Sequence, residues 1–191
     1  MAGIHLNLLG EMPVFGEDSA PLTPAEQKFA AEVEAWLAEE SGYSQIQGTR
    51  PSTLAAGLTD SPAGLAAWLV EKFRGWSDCG GDVESVFSKD ELLTTITLYW
   101  LTGTIASSTR LYYEVQHAEG MMSMNEPGYI ATPTAYARFA AEIVTPPEEW
   151  VRRSYNLTRF TEFGKGGHFP ALERPEDLVA DIREFFRPLR G

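Results

Sequence analysis

The order of hydrophobic patterns along the chain restricts its possible folds more than any other feature. Ile4 to Leu9 is a short apolar run that ends at Gly10, and it predicts a buried strand. Helical signals follow over about 110 residues, and strand-like patterns return only at 134–140 and 157–163. Strands that alternate with helices form parallel sheets. We therefore predict parts of a parallel α/β sheet at both ends of the chain, with a helical insertion between them.

Capping signals divide the helical stretch into separate helices. The runs Thr23–Glu26 and Ser88–Glu91 each place a hydroxyl side chain three residues before a glutamate, which is the pattern of a capping box. Pro51 and Pro62 predict two further helix starts, because proline is favoured in the first turn. We expect the helix that begins after Thr23 to end near Gly42.

One uncharged run raises the question of a membrane span. From Leu92 to Thr109 the chain has no charged residue, which approaches the length that crosses a bilayer. However, eight of these eighteen residues are Ser or Thr, and Gly103 interrupts the run. The pattern favours a buried helix of a soluble protein, followed by a further short helix from Ser108 to Glu114.

The composition excludes some classes of partner. The formal net charge is −12, so binding to nucleic acid or to an anionic membrane is not expected. The 191 residues are 43% hydrophobic, which is ordinary for a globular domain. The single cysteine, Cys79, excludes an intrachain disulfide. Together with the absence of a secretory pattern near Met1, it leads us to expect a cytoplasmic protein.

The C-terminal third of the chain returns to alternating elements. We expect a loop at 120–127, a short helix from Pro146 through Trp150 between the last two strands, and an amphipathic helix from Pro175 to Phe186.

His168 and Glu142 follow these last two strands. His168 stands directly after Gly166 and Gly167, which permit a sharp turn, and we expect no further helix before 175. If the strands are parallel neighbours, both side chains lie at the same end of the sheet, where catalytic groups of α/β proteins collect. Glu142 could then accept the Nδ1 hydrogen of the imidazole and leave Nε2 to take a proton from water. A loop histidine bonded to backbone, and an exposed glutamate before Pro146, are the alternatives.

Several motifs resemble epoxide hydrolases of the microsomal type, in the α/β-hydrolase superfamily. They are Gly42–Gln47 with Thr49–Pro51, Asp60–Trp68 with Glu71–Phe73, Tyr99–Thr104 with Ser107–Tyr112, and Gly166–Phe169 followed by Glu173. The resemblance covers nearly the whole chain in family order. It implies a partial α/β-hydrolase fold in which residues 1–17 form a core strand and its exit loop, 18–127 a helical cap, and 128–191 the C-terminal part of the core. The N-terminal half of the core sheet is expected to be absent.

The resemblance also implies an activity and the residues that perform it. The family adds water to an epoxide to give a vicinal diol, with Glu142 and His168 activating the water. The cap tyrosines, by motif Tyr43 and Tyr112, donate hydrogen bonds to the epoxide oxygen. Phenols of pKa about 10 can do this without ionising at neutral pH. Without the family pattern, both tyrosines would be read as packing aromatics, the role that we expect for the adjacent Tyr113.

No metal or organic cofactor is implied, and the substrate is expected to be a small hydrophobic epoxide. Four aromatic side chains are candidates for the substrate pocket, namely Trp68, Tyr99, Trp100 and Phe169.

The nucleophile of the family is an aspartate at a sharp turn between a strand and a helix. The run Gly80–Ser85 has a similar spacing around Asp82, but no predicted strand leads into it, so we do not expect Asp82 to be the nucleophile. The turn is expected upstream of Ile4, and His5 is expected to be a core or near-site residue, not a base. We therefore expect the chain to be inactive alone and to associate with a chain that carries the N-terminal half, or as a homodimer. A non-catalytic protein that binds an apolar ligand is the alternative.

Overall fold

The computed structural model describes residues 1–9, 20–118 and 129–190. The sheet in this part of the chain has three strands in the order β1-β2-β3, and both neighbouring pairs are parallel. The strands are β1 (Ile4–Leu6), β2 (Ile130–Ala141) and β3 (Tyr155–Gly167). The prediction that the last two strands are parallel neighbours is confirmed.

Strand β1 is shorter and less buried than the sequence predicts. It spans three residues instead of six, and Ile4, His5 and Leu6 are all half-buried. Among the described residues β1 pairs only with β2, so its other edge has no strand beside it. One uncovered edge explains why an apolar run of this kind is not fully buried.

The helices lie mainly between β1 and β2. In chain order they are α1 (Pro24–Glu40), α2 (Gly42–Thr49), α3 (Pro51–Asp60), α4 (Pro62–Trp76), α5 (Lys89–Thr102), α6 (Ile105–His117), α7 (Glu148–Ser154), α8 (Pro170–Glu173) and α9 (Pro175–Phe186). The predicted starts at Pro51 and Pro62 are confirmed, and so is the last helix. Helices α2 and α8 were not predicted.

Both predicted capping boxes are present. The Ser88 hydroxyl accepts a hydrogen bond from the Glu91 amide, and the Glu91 carboxylate accepts one from the Ser88 amide in return. Thr23 and Glu26 make the same reciprocal pair at the start of α1, at 2.8 and 3.2 Å. Each box satisfies amides that have no partner within the helix, which fixes the first turn.

The prediction of a buried helix over the uncharged run is wrong. The run is divided between α5 and α6 at Gly103, which adopts a φ of +65°. One face of α5 is exposed, with Leu93 55%, Leu98 62% and Leu101 78% accessible. No helix within residues 1–9, 20–118 and 129–190 is both long enough and apolar enough to cross a membrane.

The chain separates into two compact units. The sheet unit comprises Met1–Ala35, Trp76–Asp78 and Met124–Gly191, and the helical unit comprises Trp36–Gly75 and Cys79–Ser123. The predicted domain boundaries after residues 17 and 127, and the predicted loop at 120–127, lie outside the described residues. Those boundaries therefore stay a prediction.

Each unit has its own apolar core. In the sheet unit, the edge of the Phe29 ring packs on Trp150 at 4.9 Å, and both residues belong to a cluster completed by Leu9, Tyr136, Val151, Tyr155 and Leu157. A second cluster joins β2 to α9 through Ala137, Phe139 and Leu178. The core of the helical unit consists of Leu58, Leu65, Ile96 and Ile105.

Candidate active site

The carboxyl ends of β2 and β3 bring the predicted dyad together. Ala141 of β2 is in register with Gly167 of β3. Glu142 and His168 each follow their strand by one residue, so parallel pairing sets them side by side. This is the end of a parallel sheet at which loops carry functional side chains.

Glu142 and His168 form a short hydrogen bond. Oε1 of Glu142 lies 2.7 Å from Nδ1 of His168, and the Glu142 side chain is fully buried, whereas that of His168 is 21% exposed. An ionised carboxylate can only accept, so Nδ1 carries the hydrogen and Nε2 is the basic nitrogen of the neutral ring. The alternative of an exposed glutamate is excluded by this burial. The dyad has the geometry of a histidine base oriented by a carboxylate.

The two carboxylate oxygens of Glu142 differ in their partners. Oε1 also accepts a hydrogen bond from the amide of Ile143 at 2.8 Å, whereas Oε2 is buried without a protein partner among the described residues. Tyr136, on β2, has a buried hydroxyl in the same condition. Burial raises the pKa of Tyr136, and the negative charge of Glu142 adds to the rise. Tyr136 therefore stays neutral at any pH at which the protein would function.

Two aromatic rings contact His168 within the sheet unit. The imidazole meets the ring of Trp76 at 5.1 Å and 76°, and that of Phe169 at 5.1 Å and 81°. Trp76 and Phe169 are themselves nearly parallel at 6.5 Å. The two apolar rings beside the imidazole limit the access of water without removing it, since the His168 side chain is 21% exposed. Sequence reasoning missed Trp76, because no local pattern distinguishes it from a packing aromatic.

Two glycines allow the turn before His168. Gly166 has a φ of +97°, and a Cβ at this position would lie 2.8 Å from the Phe139 ring. A Cβ on Gly167 would lie 2.5 Å from the carbonyl oxygen of Trp76. A side chain at 167 would clash with backbone and one at 166 with the Phe139 ring, so close packing requires both glycines, and the positive φ also favours glycine at 166.

Tyr43 and Tyr112 are neighbours within the helical unit. Helix α2 packs on α6, and the two rings meet edge to face at 5.9 Å and 84°. Burial raises the pKa of Tyr43 to about 12, and the nearby Tyr112 adds to the rise. The ammonium of Lys72 lies 4.6 Å from the centre of the Tyr43 ring. The two phenols are therefore neighbours, and their role as donors to the epoxide oxygen stays a prediction.

The environment of Tyr112 differs slightly from that of Tyr43. Burial raises the pKa of Tyr112 and Tyr99 adds to the rise, whereas a hydrogen bond with the side chain of Gln47 lowers it. Gln47 itself is buried. The adjacent Tyr113 stacks on His117 at 4.0 Å and 17°, which agrees with a packing role for that ring.

The four predicted pocket aromatics occupy different surroundings. Trp68 and Tyr99 pack against the apolar core of the helical unit, and Trp100 is 37% exposed. Phe169 belongs to the sheet unit, beside His168. Their part in substrate binding stays a prediction.

Asp82 is not placed as a nucleophile would be. It precedes a single 3-10 turn, Val83–Ser85, and its side chain accepts a hydrogen bond from the Glu84 amide at 3.2 Å. No strand leads into this turn, since α4 precedes it and α5 follows.

His5 takes part in a buried ionic cluster instead of a base site. Its Nε2 lies 2.8 Å from Oδ2 of Asp181 in α9, and Oδ1 of that carboxylate accepts hydrogen bonds from Thr161 and Arg159 of β3, both at 2.7 Å. Burial raises the pKa of Asp181, but hydrogen bonds from His5, Thr161 and Arg159 outweigh it and lower the pKa to about 2. The cluster ties β1, β3 and α9 together, which gives His5 a structural role.

The described ranges contain no group of three or more His, Cys, Asp and Glu side chains that could hold a metal ion.

The sequence of the chain is similar to those of known epoxide hydrolases. No protein-family model matches the chain. A protein of Stigmatella aurantiaca that is assigned to the epoxide hydrolases is 41% identical over 195 residues, covering 100% of this chain and 42% of that protein. Epoxide hydrolase 1 of Sus scrofa is 45% identical over 156 residues, covering 78% of this chain and 34% of that protein.

Solved structures of the same class share the fold. The epoxide hydrolase of Aspergillus niger superposes with a TM-score of 0.77 at 30% identity, covering 97% of this chain and 46% of that one. The juvenile hormone epoxide hydrolase of the silkworm Bombyx mori gives a TM-score of 0.80 at 32% identity, covering 88% and 42%. The chain thus spans less than half the length of these relatives and matches their C-terminal part. In sequence and in fold, the chain belongs to the epoxide hydrolases of the α/β-hydrolase superfamily.

Proposed function

We propose that this chain is the base-carrying part of an epoxide hydrolase that converts a small hydrophobic epoxide and water to a vicinal diol. The observation that carries the proposal is the 2.7 Å bond between Glu142 and His168 at adjacent strand ends. A buried carboxylate holds the ring in the tautomer whose Nε2 can take a proton from water. The membership of the family supports the same reaction.

The proposed reaction has two steps. A carboxylate attacks one epoxide carbon, the carbon–oxygen bond of the ring breaks, and an ester forms while Tyr43 and Tyr112 donate hydrogen bonds to the alkoxide oxygen. Water then attacks the ester carbonyl and gives a proton to Nε2 of His168. The ester carbon–oxygen bond breaks, the departing oxygen takes the second proton of the water, and the diol leaves with the carboxylate regenerated. The proton first taken by His168 finally resides on the former alkoxide, so one water is added overall.

The nucleophilic carboxylate is the part that we propose to come from elsewhere. None of the aspartates in the described part of the chain directly follows a strand and leads into a helix. We propose that a segment equivalent to the unmatched part of the relatives, on the same or another polypeptide, supplies it. The 191-residue chain alone is then expected to have no epoxide turnover.

A chimera tests this function directly. In it, the present chain replaces the matching 42% of the Stigmatella aurantiaca relative. The chimera is expected to hydrolyse epoxides, and His168→Ala is expected to lower turnover by about 10²- to 10⁴-fold. Because the first step does not need the histidine, the variant should accumulate an ester, seen in intact mass spectrometry as a gain of one substrate mass.

The matched control is His117→Ala, which removes an exposed histidine of the helical unit. The His117→Ala chimera is expected to hydrolyse the epoxide without accumulating the ester. An unchanged rate in the His168→Ala chimera would refute the role of this histidine. Turnover by the 191-residue chain alone, if it survives Asp82→Ala, would refute the proposal that the nucleophile comes from elsewhere.

A further inference from the structure

The carboxylate of Glu173 binds the backbone on both sides of His168. Its Oε2 accepts a hydrogen bond from the amide of Gly167 at 3.0 Å, and its Oε1 accepts one from the amide of Phe169 at 2.9 Å. Oε2 also accepts from the amide of Asp78 at 2.8 Å. Three backbone amides thus converge on one charged acceptor, and hydrogen bonds to ionised groups are stronger than neutral ones.

Residues Trp76–Asp78, which we call the bracing segment, bind the two remaining amides of the turn. The carbonyl oxygen of Trp76 accepts a hydrogen bond from the amide of His168 at 2.8 Å. Oδ2 of Asp78 accepts one from the amide of Gly166 at 2.9 Å. Four successive backbone amides, from 166 at the end of β3 to 169 beyond it, therefore all have a protein acceptor.

The arrangement fixes the direction in which the histidine side chain leaves the backbone. The bond from Glu142 holds Nδ1 but leaves the main chain of the turn undetermined. The amides before and after His168 determine the direction of its Cα–Cβ bond, and Glu173 holds both of these flanking amides. With the main chain and Nδ1 both fixed, the imidazole can present Nε2 in only one direction.

We propose that Glu173 is a positioning residue for His168, acting together with the bracing segment. It touches no reacting atom; it sets the loop so that the imidazole meets Glu142 with Nδ1 and presents Nε2 to water. The inference deepens the proposed function and rests on it only for the role of the base. The positioning itself is a property of the chain that can be measured without turnover.

Nuclear magnetic resonance of the ¹⁵N-labelled 191-residue chain tests the proposal. In Glu173→Ala, hydrogen exchange at the amides of Gly167 and Phe169 is expected to accelerate by about tenfold or more, since each loses a charged acceptor. The imidazole ¹⁵N shifts of His168 are expected to change from those of a single Nδ1-protonated tautomer to those of a mixture. A residue that merely stabilised the fold would not move this tautomer signal.

Glu176→Gln is the matched control, because it neutralises an exposed glutamate three residues further on, in the first turn of α9. It is expected to change neither the exchange rates nor the tautomer. A folded Glu173→Ala chain with unchanged exchange at 167 and 169 and an unchanged tautomer would overturn the proposal.

A second variant decides the question if Glu173→Ala does not fold, as judged by loss of exchange protection in β2. Glu173→Gln keeps one acceptor oxygen and so releases the amide on only one side of His168. Faster exchange at either Gly167 or Phe169 is expected, and unchanged exchange at both would overturn the proposal. If the chimera shows no epoxide turnover while the exchange rates and the tautomer respond to Glu173→Ala as expected, only the proposed function is refuted.

Discussion

Replacing Asp181 by asparagine is expected to destabilise the folded chain by about 2 to 3 kcal/mol at pH 7. The side chain of Asp181 is 1% exposed and accepts hydrogen bonds from His5, Arg159 and Thr161. Those donors lower its pKa from the usual 3.8 to about 2. A shift of this size corresponds to the stated free energy, because each pKa unit is worth about 1.4 kcal/mol.

The pH dependence follows from the sign of this shift. The pKa is lower in the folded than in the unfolded chain, so the ionised form stabilises the fold above about pH 4. The contribution falls to roughly half near pH 3 and is lost as the pH drops through 2. Asp181→Asn removes it at every pH, so the two proteins are expected to converge in stability under acid conditions.

Urea-induced unfolding, followed by far-ultraviolet circular dichroism at pH 7 and pH 3, measures the difference. Asp177→Asn is the matched control on the same helix, since its pair with Arg174 is substantially exposed at 44% and 35%. Exposed pairs contribute about 0 to 1 kcal/mol, so this control is expected to change little. A loss below about 0.5 kcal/mol for Asp181→Asn at pH 7, or a loss that is equal at both pH values, would refute the reasoning.

Three further expectations follow from the structure. In the chimera, Tyr43→Phe and Tyr112→Phe are each expected to lower kcat by about tenfold to a hundredfold, because each removes a donor to the alkoxide, whereas Tyr113→Phe leaves kcat nearly unchanged. Steady-state measurements of kcat check this, and equal losses in all three variants would contradict it. Because burial raises the pKa of Tyr43 to about 12, no loss of activity from ionisation of Tyr43 is expected at neutral pH. Gly167→Ala places a Cβ 2.5 Å from a backbone oxygen and is expected to cost about 1 to 3 kcal/mol, measured as a lower Tm; an unchanged Tm would show that the loop relaxes freely. Ser88→Ala removes the capping box of α5 and is expected to cost about 1 kcal/mol in urea unfolding, so a loss of zero would mean that the box is redundant.

Strand order made the Glu142–His168 contact predictable before any coordinates. Parallel neighbours must end at the same edge, and Glu142 and His168 are the first residues after their strands. The helix starts at Ser88 and Thr23 were equally predictable, because a capping box is a local pattern of hydroxyl and carboxylate. In both cases the deciding interaction is either local or fixed by topology.

Features that depend on distant contacts were not predictable. Sequence reasoning missed Trp76 and Asp78 because their partners lie far along the chain, beyond any periodic signal. Glu173 was visible only as a member of a family pattern, without a physical role. The break at Gly103 was predictable from the sequence. The exposure of Leu101 on α5 was not, because an uncharged run carries no information about which side of a helix faces solvent.

The bracing segment limits how the chain could be re-engineered by exchanging modules. By sequence, Trp76–Asp78 stands in the middle of the helical insertion, yet it clusters with the sheet unit and receives the amide of His168. A graft that replaced 36–123 as one block would therefore remove the acceptors that hold the histidine loop, even if every helix folded. Donor segments that keep these three residues are expected to preserve the histidine loop. Among natural variants, the three residues are expected to change together with that loop and not with the helices around them.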